Sequence, residues 1–93
     1  MSNYKKSSLE KIILRVDKKS IEYIRTKPLH FTQKELKNKE TESHCFLQLD
    51  IKVNTELKML LFSYSDAIEV IEPLFLRDFF KQRIDKMKSM YEV

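Results

Sequence analysis

Glycine is absent from all 93 residues of this sequence, whereas a typical protein contains about 7%. The phosphate-binding loops GxxxxGK(S/T) and GxGxxG need glycine where the backbone approaches the phosphates. Nucleotide sites built on such loops are therefore excluded. Turn positions that require a positive φ angle are predicted to fall on Asn, Asp or Lys.

Cysteine occurs once, at Cys45, and tryptophan not at all. A single cysteine excludes an intramolecular disulfide. Long apolar runs are lacking too, since no stretch approaches the ~20 residues of a membrane-spanning helix. The N-terminal sequence MSNYKKSSLEK also lacks the apolar segment of a signal peptide. Together these absences predict a cytoplasmic protein.

What is present is typical of a small globular domain, either whole or cut from a longer protein. Hydrophobic residues make up 42% and charged residues 34%, which fits a packed core beneath a solvated surface. The charges behind the net +4 are interspersed, which favours a solvated surface and leaves an anionic partner open. Residues 1–9 are polar and aperiodic, and they are predicted to form a flexible leader or linker remnant.

From residue 10 onward, strand-like alternation and helical periodicity follow one another. The clearest strand pattern is CFLQLDIKV, over 45–53, in which every second residue is apolar. Such alternation is expected for a sheet that is covered on one side. Asp17 and Asn54 are predicted helix N-caps, and Pro73 fits the first turn of the last helix. The predicted elements are strands over 10–16, 29–36, 45–53 and 67–72, helices over 18–27, 55–64 and 74–93, and a hairpin turn at Asn38-Lys39.

The order of these elements, β-α-β-β-α-β-α, predicts an α+β fold. Two helices on one side of a four-stranded antiparallel sheet make a ferredoxin-like sandwich. The ferredoxin-like core is predicted over 10–73. The helix over 74–93 is an additional C-terminal element of the same domain.

The two histidines do not suggest a metal site. With a turn at 38–39, His30 would face Leu47 and His44 would face Gln33, about 10 Å apart along the strands. Zinc needs its nitrogen ligands ~2 Å from the ion. No nucleophile–base pair is suggested by spacing either. The sequence therefore predicts a non-enzymatic domain without a metal or cofactor.

Aromatic residues point to interaction surfaces instead. Phe46 is predicted on the open face of the sheet, but RNA-binding sheets of this fold need glycines and several aromatics there. We therefore expect Phe46 to cover that face of the sheet or to dock another domain. The last helix carries Phe75, Phe79 and Phe80 beside its apolar stripe, more than one small sheet can bury. Either this helix covers the open face, or part of it packs against another protein. The candidate residues of an interaction surface are Phe46 on the sheet and Phe75 and Phe79 on the helix.

Two segments carry a family resemblance: KIILRVDKKSIEYI, over 11–24, and LKMLLFSYSDAIEVIEPLFLRDFFKQRIDKMKSMY, over 57–91. They resemble the C-terminal extension, called the WCX domain, of bacterial transcription regulators that contain a WYL domain. The matched motifs are VIEP at 70–73 and LR at 76–77, and the resemblance spans about residues 10–91. It departs at Ser65, where the family commonly has glycine, so this turn is expected to be built differently.

The resemblance implies an accessory domain that follows a winged helix-turn-helix and a WYL β-barrel. Such a domain would act in dimerisation, in interdomain contact or in transmitting an effector response. The implied partners are a second copy or the upstream domains, with DNA bound through the full-length protein and a nucleic acid as one kind of effector.

The polar positions matched by the resemblance are Arg15 and Arg77. Arginine can grip a phosphate or carboxylate with two hydrogen bonds. An alternative function is therefore an anionic-ligand or single-stranded nucleic-acid binding module that uses Arg15, Lys52, Arg77 and Lys81. The simpler interpretation is that Arg15 and Arg77 form salt bridges, with Glu10, Glu72 or Asp78 as the candidate acids.

Overall fold

The structure of the chain, a computed structural model, describes residues 9–92. The predicted leader over 1–9 lies outside this range apart from Leu9, as does Val93, the last residue of the predicted final helix. The four strands are β1 (Glu10–Asp17), β2 (Lys34–Glu35), β3 (His44–Ile51) and β4 (Ile68–Glu72). The three helices are α1 (Ile21–Thr26), α2 (Thr55–Phe62) and α3 (Leu74–Tyr91), with short 3-10 turns at Lys37–Lys39 and Ser65–Ala67.

The strands form one antiparallel sheet in the order β2-β3-β1-β4. The central strand β1 pairs with β3 along its whole length, from Glu10 opposite Ile51 to Asp17 opposite His44. On its other side β1 pairs with β4, which leaves β4 as an edge strand. The predicted α+β, ferredoxin-like fold with a C-terminal helix is confirmed.

One face of the sheet and the two helices α1 and α2 enclose the hydrophobic core. Strand alternation directs every second apolar side chain to this face, where burial removes it from water. The α1 and α2 residues in the core lie one helical turn apart, which gives each helix one apolar side. The buried residues of the core include Ile12, Leu14, Val16, Cys45, Leu47, Leu49 and Val70 from the strands and Ile21, Ile24, Leu57 and Leu61 from these helices.

One of the two predicted helix N-caps is confirmed. The side chain of Asn54 accepts a hydrogen bond from the backbone N–H of Leu57, at 2.8 Å, and so caps α2. The N-cap prediction for Asp17 is wrong, because Asp17 is the last residue of β1. Its side chain accepts the N–H of Lys19 at 2.9 Å, which makes a local turn that delays α1 until Ile21.

The predicted strand over 29–36 is also wrong in length and register. Only Lys34 and Glu35 pair with β3, opposite Gln48 and Leu47. The segment before them is held by side chains: the Oγ1 of Thr32 accepts the N–H of Asp50 at 3.0 Å and donates to its carbonyl. These side-chain bonds replace a strand ladder. Consequently His30 has no partner strand residue, and its Nδ1 lies 2.7 Å from the Oγ1 of Thr32.

The turn before β4 contains the only positive φ angle among residues 9–92, +57° at Ser65. This corrects the prediction that Asn, Asp or Lys would take such positions. Ser65 adopts the left-handed conformation itself, at a cost of about 1–2 kcal/mol that glycine would not incur.

Replacing Ser65 by glycine is therefore expected to stabilise the domain by about 0.5–1 kcal/mol, since the relief of strain exceeds the entropy cost of glycine. Urea unfolding followed by circular dichroism measures this difference. The matched control is Ser63→Gly, because Ser63 has an ordinary φ of −67° and its substitution should destabilise. Equal destabilisation by both substitutions would show that Ser65 is not strained.

Candidate functional site

Helix α3 is anchored at its N-terminal half and exposed at its C-terminal half. Leu76 and Phe80 are 0% and 9% exposed and belong to the core, and the Phe80 ring stacks on Phe62 of α2 at a centroid distance of 5.7 Å. From Lys81 to Glu92 every residue of the chain is exposed. Because this half of α3 is exposed, it does not cover the open face of the sheet.

The exposed half of α3 carries a regular apolar seam. Phe80, Ile84, Met87 and Tyr91 are spaced by four, three and four residues, the pattern of the contact positions in a coiled coil. Within this seam Ile84 is 53% exposed and Tyr91 is 80% exposed. Beyond Phe80, which is buried, no element among residues 9–92 covers this seam.

A groove runs between this seam and the edge of the sheet. Ile68 and Val70 of β4 and Leu61 and Phe62 of α2 form the far wall, and the seam residues of α3 form the near wall. The space between the walls is about 750 Å³. We call this feature the α3–β4 groove.

Basic side chains follow the α3 wall of the groove. Arg77, Lys81 and Lys88 all line it, four and then seven residues apart along the helix. Lys81 makes no ion pair with any residue of the described chain, and Lys88 pairs only with Glu92, at 3.8 Å. Asp66 is an acidic residue on the opposite wall, and it too lacks an ion pair within residues 9–92.

Arg15 and Arg77, far apart in sequence, meet at one carboxylate. Strand pairing places Glu69 of β4 directly opposite Arg15 of β1. The first turn of α3 brings Arg77 to the same group, with its Nη1 donating to Glu69 Oε2 at 2.7 Å and to the Val70 carbonyl at 2.8 Å. Arg15 donates to the other oxygen, Oε1. The predicted salt bridges are confirmed in kind, but the shared acid is Glu69 rather than Glu10, Glu72 or Asp78.

The electrostatics of this cluster favour an ionised Glu69. The hydrogen bond from Arg77, helped by the positive charge of Arg15, holds the pKa of the Glu69 carboxyl below its ordinary value, against the opposing effect of burial. Two guanidinium groups share one carboxylate, so the cluster keeps one net positive charge. The Nε of Arg15 is buried and has no hydrogen-bond partner among the described residues.

The lowered pKa of Glu69 makes a pH-dependent contribution to stability. A carboxyl whose pKa is lower in the folded state stabilises the fold above its unfolded pKa, and the contribution is lost as pH falls through the folded value. Glu69→Gln is therefore expected to cost about 0.5–1 kcal/mol at pH 7, because these side chains are partly exposed, and almost nothing at pH 2. Unfolding free energies at pH 7, 4 and 2 measure this. The control is Glu56→Gln on α2; a pH-independent cost at Glu69 would contradict the ion-pair explanation.

Of the other predicted contact residues, Lys52 lies apart from this cluster, whereas Phe46 lies beside it across the sheet. Lys52 follows Ile51, which pairs with Glu10, and Glu10 already lies five residues, about 17 Å, along β1 from Arg15. Phe46 lies opposite Arg15 and is half-buried. Thus Arg15, Arg77 and Lys81 are brought to one region, while Lys52 is not.

Two phenylalanines of α3 lie outside the groove lining. Phe75 is 53% exposed. Phe79 is half-buried beneath two cations, with Lys58 Nζ at 4.2 Å and Arg83 at 5.0 Å from the ring centroid. The sequence predicts these aromatics as contacts, whereas the exposed residues Ile84, Met87 and Tyr91 belong to the apolar stripe of the helix and are not among the predicted contacts. The lengths of the two elements could have indicated this exposed surface. Because β4 spans about 17 Å and α3 about 27 Å, the helix extends beyond the strand beside it.

Residues 9–92 contain neither a membrane-spanning helix nor a metal-ligating cluster. None of the helices there is long and apolar enough to cross a bilayer. No group of three or more His, Cys, Asp or Glu side chains in that part of the chain is placed to hold a metal ion.

The fold and the groove define a small ferredoxin-like α+β domain whose last helix extends past the sheet. A family model for the WCX domain matches residues 8–88. The chain belongs to the WCX domain family, which confirms the resemblance seen in its sequence. A comparison with curated proteins finds no match.

Proposed function

We propose that this chain is a non-catalytic accessory domain of a WYL-type transcription regulator and that it acts by docking another protein segment in the α3–β4 groove. That segment belongs either to another domain of the regulator or to another chain. Membership of the WCX family supports the first half of this proposal. In the regulator, such docking would link the domain to the parts that sense the effector and bind DNA.

The observation that carries the proposal is the unpartnered seam of α3. Phe80 is already buried, but Ile84, Met87 and Tyr91 continue the same apolar line into solvent beside the apolar wall of β4 and α2. Exposed apolar patches with polar rims mark protein-contact sites. An amphipathic segment seated here would remove the seam from water and complete the packing that Leu76 and Phe80 begin.

Sedimentation velocity tests the proposal. The chain is mixed with a purified WYL-domain segment from a regulator of this family, and the fraction that co-sediments is measured. We expect a complex that weakens somewhat with salt but persists at moderate concentrations, because apolar burial supplies most of the affinity. Failure of the WYL segment and of the chain itself to associate, at concentrations of about 100 μM, would contradict the proposal.

A second candidate function, contact with an anionic ligand or single-stranded nucleic acid, is favoured by one observation. Arg15 and Arg77 outnumber the single carboxylate of Glu69, and Lys81 lies one helical turn beyond Arg77. Fluorescence anisotropy of a labelled oligonucleotide at low and high salt tests it. Binding that weakens steeply with salt and is lost in Arg15→Ala, but not in Arg25→Ala on α1, would support this candidate. Absence of binding at low salt would eliminate it.

A further inference from the structure

The flanks of the α3 seam restrict what the α3–β4 groove can accept. In the coiled-coil pattern set by Phe80, Ile84, Met87 and Tyr91, the positions beside the seam determine which partners pair. On the groove side these positions are Lys81 and Lys88. On the other side they are Arg83 and Met90. Every charged flanking residue is therefore basic.

The acidic residues of α3 do not compensate for this charge at the seam. Asp78, Asp85 and Glu92 are spaced by seven residues, so they form one row on the helix. Asp85 and Glu92 directly follow Ile84 and Tyr91 in the sequence, and the row as a whole points away from the contact line. Only Glu92 reaches a flanking residue, Lys88, in an exposed pair at 3.8 Å, and exposed pairs of this kind contribute little.

This charge distribution disfavours a second copy of the chain as the occupant. In an antiparallel pair of α3 helices centred on the seam, Lys81 of one copy would face Lys88 of the other, and the contact would occur twice. In a parallel pair, Arg83 would face Lys88 of the other copy. Like charges placed together at an interface are unfavourable in both cases.

The edge of β4 is also a poor template for an added strand. Strand addition requires free backbone groups along the edge. Arg77 already occupies the carbonyl of Val70 in the middle of this five-residue strand, at 2.8 Å. The α3 seam, in contrast, offers helical spacing over three turns, about 17 Å from Phe80 to Tyr91.

We propose that the occupant of the α3–β4 groove is an acidic amphipathic helix of about three turns, with apolar residues at coiled-coil spacing and Asp or Glu beside them. This inference rests on the proposed function and names the chemistry of the partner. The apolar side of that helix would pack between the α3 seam and the β4 wall, and its carboxylates would pair with Lys81 and Lys88.

Fluorescence anisotropy with three designed peptides tests the inference. Each peptide has ~20 residues, long enough to be helical in isolation, with leucine at both contact positions of the heptad. Their flanking positions are Glu, Gln or Lys. We expect the Glu peptide to bind about tenfold more tightly than the Gln peptide and the Lys peptide to bind most weakly, with the differences shrinking at high salt.

Charge reversal on the domain provides the decisive comparison. The double variant Lys81→Glu/Lys88→Glu is expected to reverse the order of the three affinities, so that the Lys peptide binds most tightly. Both lysines are exposed, so folding should be unaffected. The matched control is Lys86→Glu, which makes the same change on the same helix outside the groove lining and should leave the order unchanged.

Several outcomes would overturn the inference. Equal binding of the Glu and Gln peptides would remove the charge preference while leaving protein docking intact. A single-stranded oligonucleotide that displaces the Glu peptide would identify a nucleic acid as the occupant. Self-association of the chain that is lost in Ile84→Asp would identify a second copy. If none of the three peptides bound, a helical partner would be rejected. Co-sedimentation with the WYL segment would then test the proposed function separately.

Discussion

Replacing Leu76 by alanine is expected to destabilise the domain by about 3 kcal/mol and to release α3 from the sheet. Leu76 is fully buried, with 0% exposure, at the point where α3 joins the core. Truncation of a buried leucine removes apolar contacts and leaves a cavity, at a typical cost of about 2–5 kcal/mol. Because Leu76 and Phe80 are the buried residues of α3, the weakened anchor should also loosen the rest of the helix.

Two measurements check this expectation. Urea unfolding gives the free-energy change, and hydrogen exchange of the α3 amides reports local release of the helix. Leu74→Ala is the matched control, since Leu74 is on the same helix and 69% exposed. Its cost should stay within about 0.5 kcal/mol. Similar costs for the two substitutions would show that α3 is not anchored through Leu76.

Replacing Ile84 by aspartate is expected to weaken partner binding by roughly 30-fold or more without destabilising the domain. Ile84 is 53% exposed at the centre of the seam, so the free chain loses little packing, and Ile and Asp have similar helix propensities. In a complex the carboxylate would be buried against apolar residues of the partner. Such a change at the centre of an interface costs more than about 2 kcal/mol, or roughly 30-fold in affinity.

The measurement is a sedimentation or anisotropy titration of the variant beside its thermal unfolding curve. Met59→Asp is the control, because Met59 is an exposed apolar residue of α2, at 67%, outside the groove lining. Its binding should match the wild type. If both variants bind normally, the seam is not the contact; if both lose binding, the effect is one of added negative charge rather than of position.

The parts of the fold that follow local periodicity could be predicted from the sequence. The alternation in β3 gave the correct core face from Cys45 to Leu49, and Asn54 gave the start of α2. The failures occurred where side chains compete with the backbone. The side chain of Asp17 bonds to the backbone of Lys19, which delays α1, and that of Thr32 bonds to the backbone of Asp50, which shortens β2. Periodicity carries no information on such bonds.

The candidate site was less predictable, because it depends on register and length. Glu69 unites Arg15 and Arg77 only because β4 pairs with β1 in one particular register, with an irregularity between Ile13 and Leu14. The alternating pattern of β4 is compatible with several registers that keep Val70 inward. The groove likewise arises because α3 is longer than β4, a property of the two elements together and not of either alone.

The most direct test of protein docking in the α3–β4 groove is a chemical-shift map of the bound domain. Backbone amide and methyl resonances of the isotope-labelled chain are followed while the unlabelled WYL segment is added. We expect the shifts to concentrate on Ile68, Ile84, Met87 and Tyr91, with little change at Phe46 or Lys52. Shifts confined to Phe46 and the open face of the sheet, with the seam unchanged, would contradict the account and assign the contact to the sheet face rather than to the seam.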